Sequence, residues 1–128
     1  MRNRWLLTLM VACAMQMAHA THIIGGELYY DHLGGNQYQV TLVMYRDCSP
    51  DNVNGTMFDL NAQIAVYDMN GTLITSASPA DPGEQTIPID LNNPCLTAPP
   101  ELCVATTSYT TVFDLPPIAG GYTISYQR

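Results

Sequence analysis

Gln37-Tyr38-Gln39-Val40-Thr41-Leu42-Val43-Met44-Tyr45 is the stretch that decides the fold. Side chains on a β-strand point alternately to opposite faces, so Tyr38, Val40, Leu42 and Met44 share one face. Gln37, Gln39 and Thr41 share the other. A period of two with one apolar face predicts a strand lying half-buried on a core.

The same pattern continues on both sides. Upstream, Ile24, Leu28 and Tyr30 are in phase, and Asp31-His32-Leu33-Gly34-Gly35-Asn36 supplies a hairpin turn into the first stretch. Downstream, Ala62 to Met69 alternates with Ile64 and Val66 inward. It meets Asn70-Gly71, a strong hairpin dipeptide, and then Thr72-Leu73-Ile74-Thr75. Ile87, Ile89 and Leu91 alternate, with Pro88 directing that strand to an edge. Ser108 to Leu115 and Tyr122 to Tyr126 are two β-branched and aromatic strands around Pro116-Pro117-Ile118-Ala119-Gly120-Gly121. Six or seven short strands with a turn signal every ten residues or so predict an all-β chain: an antiparallel, immunoglobulin-like β-sandwich.

The first twenty residues differ from this pattern. Arg2 and Arg4 form a basic head, Trp5 to Met17 is mostly apolar, and Ala18-His19-Ala20 offers small residues where a signal peptidase cuts. The expected organisation is a signal peptide over 1–20, removed before Thr21, and one β-sandwich module over 21–128. A membrane anchor needs about 20 apolar residues, and this run is shorter and ends near the polar Gln16 and His19. Lipidation at Cys13 would leave only a very short apolar stretch before it. The module is therefore expected outside the cytoplasm, secreted or at the cell surface, with no membrane span after cleavage.

Loss of the leader leaves Arg46 and Arg128 against eleven Asp and Glu residues, a net charge near −9, and the chain has no lysine. Nucleic acid and anionic membranes are bound through basic surfaces, so neither is expected as a partner. The acidic balance fits the solubility of a secreted domain.

Among the cysteines, Cys13 leaves with the leader. Cys95 and Cys103 flank the proline-containing loop Leu96 to Leu102, and a disulfide between them would contribute roughly 2.5 kcal/mol by loop closure. A zinc site is the weaker alternative, because two thiols without a nearby histidine pair are a poor ligand set. That pairing leaves Cys48 unpaired, an odd cysteine in an exported chain.

Other polar residues bear on possible chemistry. His22 and His32 stand near no nucleophile motif and match no triad or zinc-protease spacing, so no catalytic residue, enzymatic activity or cofactor is expected. The loop from Asp47 to Asp59 carries oxygen donors at Asp47, Asp51, Asn54 and Asp59, the type that calcium takes. Val53 breaks the EF-hand pattern, and a solvated acidic loop accounts for the residues more simply. Asn54-Gly55-Thr56 and Asn70-Gly71-Thr72 match a glycosylation sequon, although Asn-Gly is also a plain turn signal. Eight tyrosines accompany two phenylalanines. Tyr38, Tyr122 and Tyr126 fall in the inward phase of their strands. Tyr45 and Tyr67 fall outward and are the candidate binding residues, since exposed tyrosine is favoured at interfaces.

Several segments together resemble a known family. Thr21-His22-Ile23-Ile24-Gly25-Gly26-Glu27-Leu28, Tyr38-Gln39-Val40-Thr41-Leu42 and Tyr45-Arg46-Asp47-Cys48 are similar to the opening module of large surface proteins of gliding bacteria. Those proteins are labelled by a gliding-motility-associated C-terminal module. Pro94-Cys95-Leu96, Pro99-Pro100, Cys103-Val104 and Leu115 to Arg128 follow in the same order. The resemblance implies a module that continues into a pair of cysteines and further β domains of the same polypeptide. It thus implies a partner for Cys48 beyond Arg128 and a last strand missing from this sequence. Two functions stay open: a structural or adhesion module opening a surface protein, and a carbohydrate-binding module. Surface glycans or proteins are the corresponding partners.

Overall fold

A computed structural model describes residues 23–49, 57–88 and 101–128. The leader, His22, the loop residues Asp51 and Asn54, and Cys95 lie outside the described residues. Seven strands appear: β1 (Ile23–Gly34), β2 (Gln37–Asp47), β3 (Gln63–Asp68), β4 (Leu73–Ala77), β5 (Gln85–Thr86), β6 (Val104–Asp114) and β7 (Tyr122–Gln127). They form two antiparallel sheets, one in the order β1-β2-β6-β5 and one in the order β4-β3-β7. No helix occurs among the described residues, and none is therefore long and apolar enough to cross a membrane.

The alternation of the central stretch sets the core. Val40, Leu42 and Met44 of β2 are buried, and their ladder partners on β6 are Thr111, Tyr109 and Thr107. From the second sheet Ile64 and Val66 point back at them, both completely buried. The inward phases expected for Tyr38, Tyr122 and Tyr126 hold, because all three pack against this core as half-buried residues. The edge strand lies earlier than expected: β5 is Gln85–Thr86, Ile87 and Pro88 follow it, and Ile89 and Leu91 lie outside the described residues.

Both hairpins turn on glycine. Gly34 and Gly35 take φ of 116° and 59° between β1 and β2, a region that side chains resist. Between β3 and β4, Gly71 alone has positive φ, at 77°. Its N–H donates to the Asp68 carbonyl at 3.1 Å, and the Asp68 N–H donates to the Thr72 carbonyl at 3.0 Å. This is a three-residue loop ending on a left-handed glycine, not the two-residue form in which Asn70 would also be left-handed. One Asp68 carboxylate oxygen accepts the N–H groups of Asn70 and Thr72, both at 2.8 Å. Those bonds, the Thr72 one foremost, hold the Asp68 carboxyl below its ordinary pKa.

The cysteine pairing differs from the expectation. Cys103 is joined to Cys48, with the two Cα atoms 4.9 Å apart and a sequence separation of 55. Cys103 is thus not bonded to Cys95, and Cys48 is not unpaired. The reason lies in the β2–β6 register. Asp47 faces Val104 at the end of that ladder, so Cys48 and Cys103 are the next pair out. The Cys48 N–H donates to the Cys103 carbonyl at 3.1 Å and continues the ladder to the bond itself.

Among the described residues β7 pairs only with β3 and forms an edge, as expected of a sequence that lacks the following strand.

Candidate binding faces and the polar end of the core

The two candidate tyrosines do point outward, as the strand phases require, but on opposite sides of the molecule. Tyr45 belongs to β2 of the four-stranded sheet and Tyr67 to β3 of the three-stranded sheet, so their outer faces point away from each other. They cannot line one site. Tyr67 accepts a hydrogen bond from the Gln127 side chain at 3.0 Å. Tyr45 donates its hydroxyl to Glu27 at 3.0 Å, and that bond to a carboxylate, with some desolvation, raises its pKa.

Around Tyr45 the outer face of the four-stranded sheet carries further groups in register. Glu27, Tyr29 and Asp31 of β1 stand opposite Val43, Thr41 and Gln39 of β2. Ser108, Thr110 and Val112 of β6 continue the same face on the other flank. Tyr29 is 46% exposed, whereas Thr41 beneath it is nearly covered. This face therefore combines an exposed aromatic ring, hydroxyls and carboxylates. The sequence singled out Tyr45 and not Tyr29, and the β1–β2 register places both on the same face.

Of the calcium candidates, Asp47 and Asp59 are among the described residues, and both bond within the chain. Asp59 Oδ2 accepts the Tyr126 hydroxyl at 2.5 Å, and Oδ1 lies 3.3 Å from the Arg128 guanidinium. The Asp59 backbone carbonyl accepts the Tyr109 hydroxyl at 2.5 Å. Asp47 Oδ1 accepts both the N–H and the hydroxyl of Ser49, at 2.9 and 2.6 Å. No group of three or more His, Cys, Asp or Glu side chains placed to hold a metal occurs among the described residues. His32 stacks on Tyr38 at 4.8 Å, with its Nε2 2.9 Å from the Gly35 carbonyl oxygen. It fastens the β1–β2 turn.

Asp59, Tyr109, Tyr126 and Arg128 instead form a polar plug at one end of the core. Tyr109 is fully buried, yet its hydroxyl finds the Asp59 carbonyl, and among the described residues no buried side-chain polar atom is left without a partner. Burial, with Asp81 and Asp59 nearby, pushes the Tyr109 pKa up to about 12. Burial and the bond to Asp59 push Tyr126 up to about 12 as well. Beside this plug, the Arg46 guanidinium covers the Phe58 ring at 5.6 Å and pairs with Glu84 at 2.7 Å. Asp81 accepts the hydroxyl of buried Thr107 at 2.5 Å and the Gly83 N–H at 3.0 Å. No strand periodicity reveals these carboxylates, because their partners lie far away in sequence.

No known family model, curated protein or solved structure matches the chain.

Proposed function

We propose that the chain is a non-catalytic structural or adhesion module of an extracellular or cell-surface protein, standing at the start of a longer polypeptide as its family resemblance implies. The observation that carries this reading is how the acidic side chains are used. Asp59, Asp68, Asp81 and Glu84 each bind a hydroxyl, an N–H or a guanidinium of the chain itself. Groups that could act on a ligand instead fasten loops to strands. The Cys48–Cys103 bond supports an oxidising compartment, as does the leader-like start of the sequence. N-terminal sequencing of the exported product should give Thr21, and folded cytoplasmic protein retaining Met1 would defeat the assignment.

A carbohydrate-binding function is the second reading, and one observation favours it. Tyr29, Tyr45 and Glu27 share the outer face of the four-stranded sheet, and Tyr29 presents an exposed ring of the kind that stacks on sugars. A glycan array separates the two. The structural module gives no saturable signal, whereas the second reading requires binding to a defined sugar that Tyr29→Ala abolishes.

A further inference from the structure

The β3–β4 turn carries an Asn-Gly pair at its tip, and both Asn70 and Gly71 are exposed. Gly71 has no side chain to shield its nitrogen, and the place where a Cβ would stand is empty to 4 Å. An asparagine amide followed by an unhindered backbone N–H can cyclise. The Gly71 nitrogen bonds to the Asn70 side-chain carbon Cγ, and Nδ2 leaves as ammonia with the Gly71 proton. The five-membered imide then takes up one water. Opening between Cγ and the ring nitrogen leaves aspartate. Opening between the main-chain carbonyl carbon and that nitrogen leaves an isoaspartyl link. Either way a neutral amide becomes a carboxylate, water is the only co-reactant, and nothing is oxidised or reduced.

The folded turn holds this reaction back. The Gly71 N–H donates to the Asp68 carbonyl at 3.1 Å, so the attacking nitrogen is already engaged. The Asn70 side chain directs Nδ2 to Asp68 Oδ2 at 3.4 Å. Asp68 Oδ1 accepts the N–H groups of Asn70 and Thr72, both at 2.8 Å, and so closes the turn from two sides. Cyclisation therefore requires the turn to open, and the Asp68 bonds set how often it does.

The product cannot close in the same way. A carboxylate at position 70 meets the Asp68 carboxylate where an amide donated before, and like charges at that range repel. The isoaspartyl link also adds a methylene to the main chain of a three-residue loop, which draws the Thr72 N–H away from Asp68. Among the described residues β4 pairs only with β3, so it depends on this turn to hold its register.

We propose that Asn70 is a self-modification site that deamidates through an imide with Gly71, gated by Asp68, and that conversion loosens β4. The turn is then a one-way device: it stays shut until it reacts, and it does not reset.

Peptide mapping by mass spectrometry of the folded full chain, incubated at neutral pH, tests this beside Asp68→Ala and Asn70→Asp. The unaltered chain should accumulate aspartyl and isoaspartyl product at position 70. Asp68→Ala should convert about tenfold faster or more, because it deletes two hydrogen bonds that keep the turn shut. Asn70→Asp introduces the charge without the imide, and amide exchange over Leu73–Ala77 should be faster in it than in the unaltered chain. No conversion of the folded chain over a period in which the guanidinium-unfolded chain converts fully overturns the site. Equal rates with and without the Asp68 carboxylate overturn the gating, and unchanged exchange in Asn70→Asp overturns the loosening. If Asp68→Ala does not fold, folded and unfolded forms of the unaltered chain are compared instead, and equal rates in the two overturn the gating.

Discussion

Two tyrosines that face the same core have opposite fates. Tyr109, on β6, is wholly buried between the sheets with its hydroxyl bonded to Asp59. Tyr30, on β1, stands in the inward phase and yet is 62% exposed. The difference is one of neighbours. β6 has strands on both sides and the second sheet above it, while β1 is an edge under the gap beside β7. Inward phase thus names the face a residue points to, but burial depends on whether the opposite sheet reaches over it.

The sharpest way to break this comparison is to truncate both rings. Tyr109→Ala should destabilise the fold by about 3–5 kcal/mol, the range for removing a buried aromatic ring. Chemical denaturation would measure it, and a loss under about 1 kcal/mol would mean that the core around Tyr109 is not tightly packed.

Cutting the Cys48–Cys103 bond comes next. The closed loop spans 55 residues, so loop entropy sets its contribution at about 4 kcal/mol at most. The double substitution Cys48→Ala and Cys103→Ala should cost about 2–4 kcal/mol. A non-reduced digest should contain a peptide pair joining the two segments, and a Cys95–Cys103 pair in its place would overturn the Cys48–Cys103 pairing.

Alkali sharpens the same contrast. Tyr109 and Tyr126 are held protonated to about pH 12 in the folded chain, whereas an unfolded tyrosine ionises near pH 10. A folded-state pKa above the unfolded one means full stability below about pH 10, lost as pH rises toward about 12. Melting temperature followed across that window should fall steeply, and less steeply in Tyr126→Phe. Equal slopes in the two proteins would remove Tyr126 from the account.

The smallest effect is expected at Tyr30, on the β1 edge. Tyr30→Ala should change stability by under about 1 kcal/mol, as for surface positions. A larger loss in dilute solution would show that something already covers that ring.

How far the sequence carries the structure depends on the range of the interaction. Alternation is local, and so Val40, Leu42, Met44, Ile64 and Val66 could be placed inward from the sequence alone. The glycine turns were equally legible, though the Asn70-Gly71 turn took a three-residue form because Asp68 anchors it. Register between β2 and β6 is not local, and the cysteine pairing depends on it. Cys95 is eight residues from Cys103 in sequence, but Cys48 is its neighbour across a ladder. Tyr45 and Tyr67 share an outward phase, yet phase is silent on which sheet a strand joins. The plug of Asp59, Tyr109, Tyr126 and Arg128 had no sequence signal at all, since its members come from the middle of β6, the end of β7 and a loop.

The bond between Cys48 and Cys103 also fixes how far the chain can be drawn out by force. Tension applied at Ile23 and Arg128 would reach β1 and β7 first, because both are edge strands. β3, β4 and β5 lie between the two cysteines, and while the bond holds none of their length can be released. At about 3.4 Å per extended residue, those 55 residues withhold roughly 190 Å of contour. An oxidised chain would therefore yield a short extension and then stop, and a reduced one would run on.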